Sequence, residues 1–142
     1  RRWWQRRLAP PLDAAAAAAL LRSAGAAAAR EGGSLLVSPS RRTPPEARAA
    51  LESEAAAAGE GRRLDVWLWR GEEQDGPNPY AGMLAWSDYV VVTADSVSMA
   101  SEAAAAGKLV YVASPEECTG RLAAFHSSLL ASGRARDWAE VA

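Results

Sequence analysis

Ser96, Ser98 and Glu102 are the residues of this chain best placed to do chemistry, in the stretch NPYAGMLAWSDYVVVTADSVSMASEAAAAGK at residues 78–108. The pattern reads as a short helix, an apolar strand, a polar loop and a helix start. Tyr89 to Thr93 carries no charge and is aromatic and β-branched, as suits a strand buried on both faces of a parallel sheet. Asp95, Ser96 and Ser98 crowd the junction where the next helix begins. A helix start presents unpaired N–H donors and a positive dipole end, so it seats a phosphate or another anion. Glu102 follows Ser98 by four residues and shares its helix face. A capping box would need the acid three residues after a serine cap, and that position is Ser101. A ligand with phosphate and ribose hydroxyls accounts for Ser96, Ser98 and Glu102 together, and ordinary helix capping is the other reading of the two serines.

A second cluster, Ser40, Arg41 and Arg42, precedes another helix start. Positive charge there opposes the helix dipole by roughly 0.3–1 kcal/mol, unless a bound anion offsets both fields. The alternative is a pair of solvated loop arginines held by Glu46 or a nearby carboxylate.

The elements that must carry these clusters alternate. Residues 12–30 read as a helix weakened near Gly25, and residues 34–37 as a short strand. Thr43, Pro44 and Glu46 spell a capping box for a helix running to about Ala58. Residues 65–69, DVWLW, form a second strand, followed by a polar, glycine-containing loop. Asn78 caps a short helix with Pro79 at its first position. Residues 109–112 form the fourth strand, and residues 117–133 the last helix, with Leu122, Phe125 and Leu129 inward. Alternating strands and helices with short connections predict an α/β, Rossmann-like three-layer domain with a parallel sheet over residues 12–142, behind a basic, aromatic lead-in at 1–11. In such sheets ligands bind beyond the carboxyl ends of the strands, which here also offer Ser38, Arg70 and Ser114-Pro115.

The 142 residues suffice for one domain with a core. Sixteen basic against seventeen acidic residues argue against a nucleic-acid scaffold. The single cysteine, Cys118, excludes an internal disulfide and reads as structural. His126, with no second ligand at metal spacing, reads as a helix-surface residue. The sequence contains no GxSxG, Walker, HExxH or CxxC motif, and no apolar run approaches the ~20 residues of a membrane helix. Four alanine tracts, such as residues 14–19, mark helices rather than function. RRWWQRR, residues 1–7, has the composition of a membrane-interface patch. The absence of an initiator methionine reads as a fragment.

Three blocks together are specific: LLVSPSRRTPPEA at 35–47, NPYAGMLAWSDYVVVTADSVSMASEA at 78–103 and ECTGRLAAFHSSLLASGRAR at 117–136. They resemble the mitochondrial-fission family whose plant member is named for the elongated mitochondria of its mutant. The resemblance implies the C-terminal, nucleotide-binding half of a GT-B glycosyltransferase-like fold, with a missing N-terminal domain. It further implies phosphate contacts at Ser96 and Ser98, a ribose contact at Glu102 and a diphosphate partner at Arg41. A nucleoside diphosphate or nucleotide sugar is the implied ligand. For the plant member the implied role is a non-enzymatic adaptor that recruits a dynamin-related GTPase to the cytosolic face of the mitochondrial outer membrane. The family pattern also has a strand ending in Gly-Gly before the first helix, where this chain runs from Asp13 straight into alanine.

Overall fold

The computed structural model describes residues 12–60 and 64–141, and the RRWWQRR patch lies outside them. The chain is α/β with parallel strands throughout, the Rossmann-like class that the sequence predicts. It divides into two compact units, one running up to Met83 and the other holding Leu84–Val141.

In the first unit, helix α1 (Ala14–Arg30) starts at Asp13, whose side chain accepts from the Ala16 amide at 2.7 Å. Strand β1 (Leu35–Val37) pairs in parallel with β2 (Val66–Leu68), and α2 (Pro45–Glu60) lies between them in sequence. Ala17, Leu21, Ala47 and Leu51 form the buried core, so α1 and α2 meet largely through alanine. Small side chains let the helix backbones approach closely but bury little apolar area each. Arg22 on α1 and Glu54 on α2 form an ion pair across this contact. Helix α1 runs through Gly25 unbroken. A Cβ there would stand 3.1 Å from Leu64 Cδ2, so the glycine makes room for that side chain. Two helices then follow in the sequence, α3 (Glu72–Asp75) and α4 (Tyr80–Trp86). The former occupies what the sequence suggests is loop, and Asp75 holds it by bonding the Arg70 amide at 2.7 Å and guanidinium at 2.8 Å. Asn78 does cap α4, accepting from the Tyr80 amide at 3.0 Å.

In the second unit, β3 (Tyr89–Thr93), β4 (Leu109–Ala113) and β5 (Ala135–Asp137) form a parallel sheet in that order. Helix α5 (Val97–Ala105) connects the first two strands and α6 (Gly120–Ala131) the last two. The core joins Val92, Val110 and Val112 to Ala100, Ala103, Leu122 and Leu129. Gly107, at φ +74°, closes α5 and returns the chain to β4. The prediction for β3 needs correction: it is not buried on both faces. Tyr89 is 51% exposed and of the five residues of β3 only Val92 is buried, so the helices of this unit cover the strand only in part. The last helix is also shorter than predicted, preceded by a 3-10 turn at Pro115–Glu117. Strand β5, which the sequence pattern does not signal, brings Trp138 into the core edge-on to Tyr111, with ring centroids 5.6 Å apart.

Candidate functional site

The two predicted clusters belong to different units, and each has its own way of holding its backbone. In the first unit, the turn after β1 bonds to itself. The Thr43 hydroxyl accepts from the Ser40 amide at 3.0 Å, and the Ser40 hydroxyl accepts from the Arg42 amide at 3.1 Å. This corrects the predicted capping box at Thr43, whose side chain faces back into the turn instead of capping α2. Arg48, on the first turns of α2, donates to the carbonyls of Ser40 at 2.6 Å and Thr43 at 3.4 Å. Of the three predicted residues, Ser40 is therefore engaged within the turn, while Arg41 and Arg42 are exposed. Arg41 forms no hydrogen bond or ion pair with the described residues, so the alternative of a Glu46 partner is not what occupies it.

In the second unit, Ser96 is the N-cap of α5. It is 8% exposed, and its hydroxyl accepts from the Met99 amide at 3.3 Å. The Val97 and Ser98 amides have no acceptor among the described residues, leaving two of the four orphan donors of the helix start open. Ser98 and Glu102 are both exposed, four residues apart on α5. Two open amides, a hydroxyl and a carboxylate thus share one helix beginning. The amides and dipole suit an anion, and the carboxylate suits a hydroxyl donor. Asp95 accepts from the Thr93 hydroxyl and is half-buried.

One residue past the end of β4, Ser114 adopts φ 55° and ψ 47°. It is the one non-glycine residue of left-handed conformation among those described, at a cost of about 1–2 kcal/mol. The sequence pointed to Ser114 as a strand end, but its backbone state leaves no signal in residue type.

Beneath the turn lies what the sequence reading missed. His126 is not a surface residue: at 1% exposed it is among the largest fully buried side chains. Its Nε2 stands 2.6 Å from the Ala94 carbonyl oxygen. Cys118 Sγ approaches the same oxygen at 3.7 Å and is buried. Burial pushes the Cys118 thiol up from its ordinary range, reinforced by the negative charges of Asp95, Glu116 and Glu117. A thiol held protonated in this way is no nucleophile. No group of three or more metal-ligating side chains is found among the described residues, and no helix among them is long and apolar enough to cross a membrane.

Comparison with known proteins gives the arrangement a family. The model of the family described as mitochondrial fission ELM1 matches residues 9–142. The chain belongs to this family. It is 49% identical over 73 residues to the Mitochondrial fission protein ELM1 of Arabidopsis thaliana, covering 51% of this chain and 16% of that protein. It is 50% identical over 44 residues to an uncharacterized protein of Rickettsia prowazekii (strain Madrid E), covering 31% of this chain and 12% of that one. The matched stretches are thus under a fifth of each relative's length. No solved structure matches.

Proposed function

We propose that this chain is the nucleotide-binding-type half of a mitochondrial fission protein of GT-B-like architecture. The whole protein acts as a non-enzymatic adaptor, recruiting a dynamin-related GTPase to the cytosolic face of the mitochondrial outer membrane. Membership of the mitochondrial fission family along nearly the whole chain carries this reading. Capture of a dynamin-related GTPase by the full-length protein, on mitochondria or on beads, tests it. Absence of any such capture under conditions where the protein is folded sinks it.

A second reading has a specific observation of its own. The open Val97 and Ser98 amides beside Glu102 form the kind of seat a nucleoside diphosphate would take. On that reading the family retains a nucleotide-sugar-dependent glycosyltransferase donor half, with Ser96 and Ser98 at the phosphates and Glu102 at the ribose, and Ser40, Arg41 and Arg42, in the other unit, are a separate anion-facing turn. Glu102→Ala should then weaken binding of UDP or GDP by about 1.5–3 kcal/mol, the loss of a charge-assisted hydrogen bond. Folding should stay intact, because the side chain is exposed. Calorimetric titration of wild type and variant decides it: equal affinities place the ligand elsewhere, and no binding by folded wild type leaves the adaptor reading alone.

A further inference from the structure

The Ala94 carbonyl lies one residue beyond the last ladder pair of β3 and β4, Thr93 with Ala113. The neighbouring strand offers no regular continuation there, since Ser114 turns left-handed and Pro115 has no N–H to give. A side chain supplies the donor instead, from a helix 32 residues further along the sequence. Because a carbonyl can only accept, Nε2 of His126 must carry the proton. The other ring nitrogen, Nδ1, is buried without a hydrogen-bond partner. An apolar side chain would fill this position without that desolvation cost, so the Nε2 contact is what a histidine contributes here.

We infer that His126 is a positioning residue: its Nε2–H fixes the Ala94–Ser96 turn and thereby aims the open amides of Val97 and Ser98. The inference rests on reading that helix start as an anion seat. Ala94 is two residues from the cap, and Ser96 itself is buried. Rotation of the Ala94 peptide would therefore turn the first amides of α5 away from a common focus. Cys118 adds only a weak, long contact to the same oxygen. Within the turn the Ser96 amide donates to the Thr93 carbonyl at 3.2 Å and the Thr93 hydroxyl to Asp95, so His126 supplies the restraint that ties this turn to α6.

The experiment compares wild type with His126→Phe, His126→Gln and His126→Asn in the whole chain. Amide hydrogen exchange is read at Ser96 and Met99, whose amides have acceptors within the turn, with Val110–Val112 in the same sheet as the reference, and UDP is the titrated probe. The glutamine amide nitrogen reaches as far as the imidazole Nε2, whereas the asparagine amide falls short. In His126→Phe and His126→Asn, exchange at Ser96 and Met99 should rise about tenfold with the reference amides unchanged, as for one lost hydrogen bond. UDP affinity should fall by about the same factor, and His126→Gln should restore both. Equal acceleration everywhere, no change at Ser96 and Met99, or identical behaviour of Gln and Asn overturns the inference. If His126→Phe does not fold, the Gln and Asn pair decides alone. Local loosening in protein that binds no UDP even as wild type would overturn the anion seat, and with it the aiming role, while retaining the hydrogen bond as a structural restraint.

Discussion

The turns after β1 and β3 carry similar residues, hydroxyls followed by charge at a helix start, yet the balance of local and distant support differs between them. The turn at residues 38–43 is organised mainly by local bonds, with the Thr43 hydroxyl and the Arg48 guanidinium on the Ser40 backbone and the Ser40 hydroxyl on the Arg42 amide. One longer link runs from the Ser38 hydroxyl to Asn78 Oδ1 at 3.4 Å. The turn at residues 94–98 closes on itself through the Ser96 amide and the Thr93 carbonyl, and is tied to a distant helix by His126. Only its Val97 and Ser98 amides are left without an acceptor among the described residues. The contrast extends to the cores below. One rests on Ala17, Ala47 and two leucines, the other on valines, leucines and a buried imidazole. A turn that satisfies itself keeps its shape through local bonds but has fewer groups left to offer. A turn held from beneath can leave its donors free for a ligand, and its geometry then depends on the distant core.

The sharpest test of that dependence is Leu122→Ala. Leu122 is 7% exposed in the core beneath the second turn. Truncation should cost about 2–4 kcal/mol of stability, from lost burial and a residual cavity. Thermal unfolding measures the cost, and hydrogen exchange at Ser96 and Met99 should rise with it while exchange at 38–43 stays unchanged at temperatures well below melting. If both turns loosen together, the distinction between local and distant support fails.

Arg48→Ala should act the other way and more weakly. It removes the donors to the Ser40 and Thr43 carbonyls, worth about 1–3 kcal/mol for a charged hydrogen-bonding group. Exchange should rise at residues 38–43, with Ser96 and Met99 unaffected. Arg48→Lys should recover only part of the loss, since one ammonium cannot reproduce the fork of a guanidinium. Full recovery would mean that charge, rather than geometry, holds the turn.

The same contrast explains what the sequence revealed. Alternation of β-branched runs with alanine-rich helices announced the α/β class, because burial and helix propensity act locally. The hydroxyl clusters were legible for the same reason. Strand β5 was not: Ala-Arg-Asp has no apolar alternation and exists through pairing with β4. Thr43 misled because its local motif permits capping while the actual turn offers it the Ser40 amide. His126 did leave a signal, standing four residues after Leu122 and three before Leu129, all three buried on α6. Its polarity, weighed above its spacing, concealed this. What spacing alone does not reveal is the partner, a backbone carbonyl 32 residues away.

The smallest expected effect concerns Cys118, which shares that carbonyl. Burial comes first among the causes that raise its thiol pKa, followed by Asp95, Glu116 and Glu117. Native protein should therefore label slowly with a disulfide reagent between about pH 7 and 9, whereas unfolded chain should label with the ordinary thiol profile near pH 8.5. The sign of the linkage follows. A folded pKa above the unfolded one contributes stability that is fully present below the unfolded value and is lost as pH rises through the folded value. Stability should accordingly decline on the alkaline side, and Cys118→Ala should remove that part of the decline. Asp95→Asn takes away one of the negative charges and should move the native labelling profile part of the way toward the ordinary range. Native labelling as fast as that of unfolded chain would mean that the turn opens freely to solvent, and the support from beneath would then be no firmer than the local bonds of its counterpart after β1.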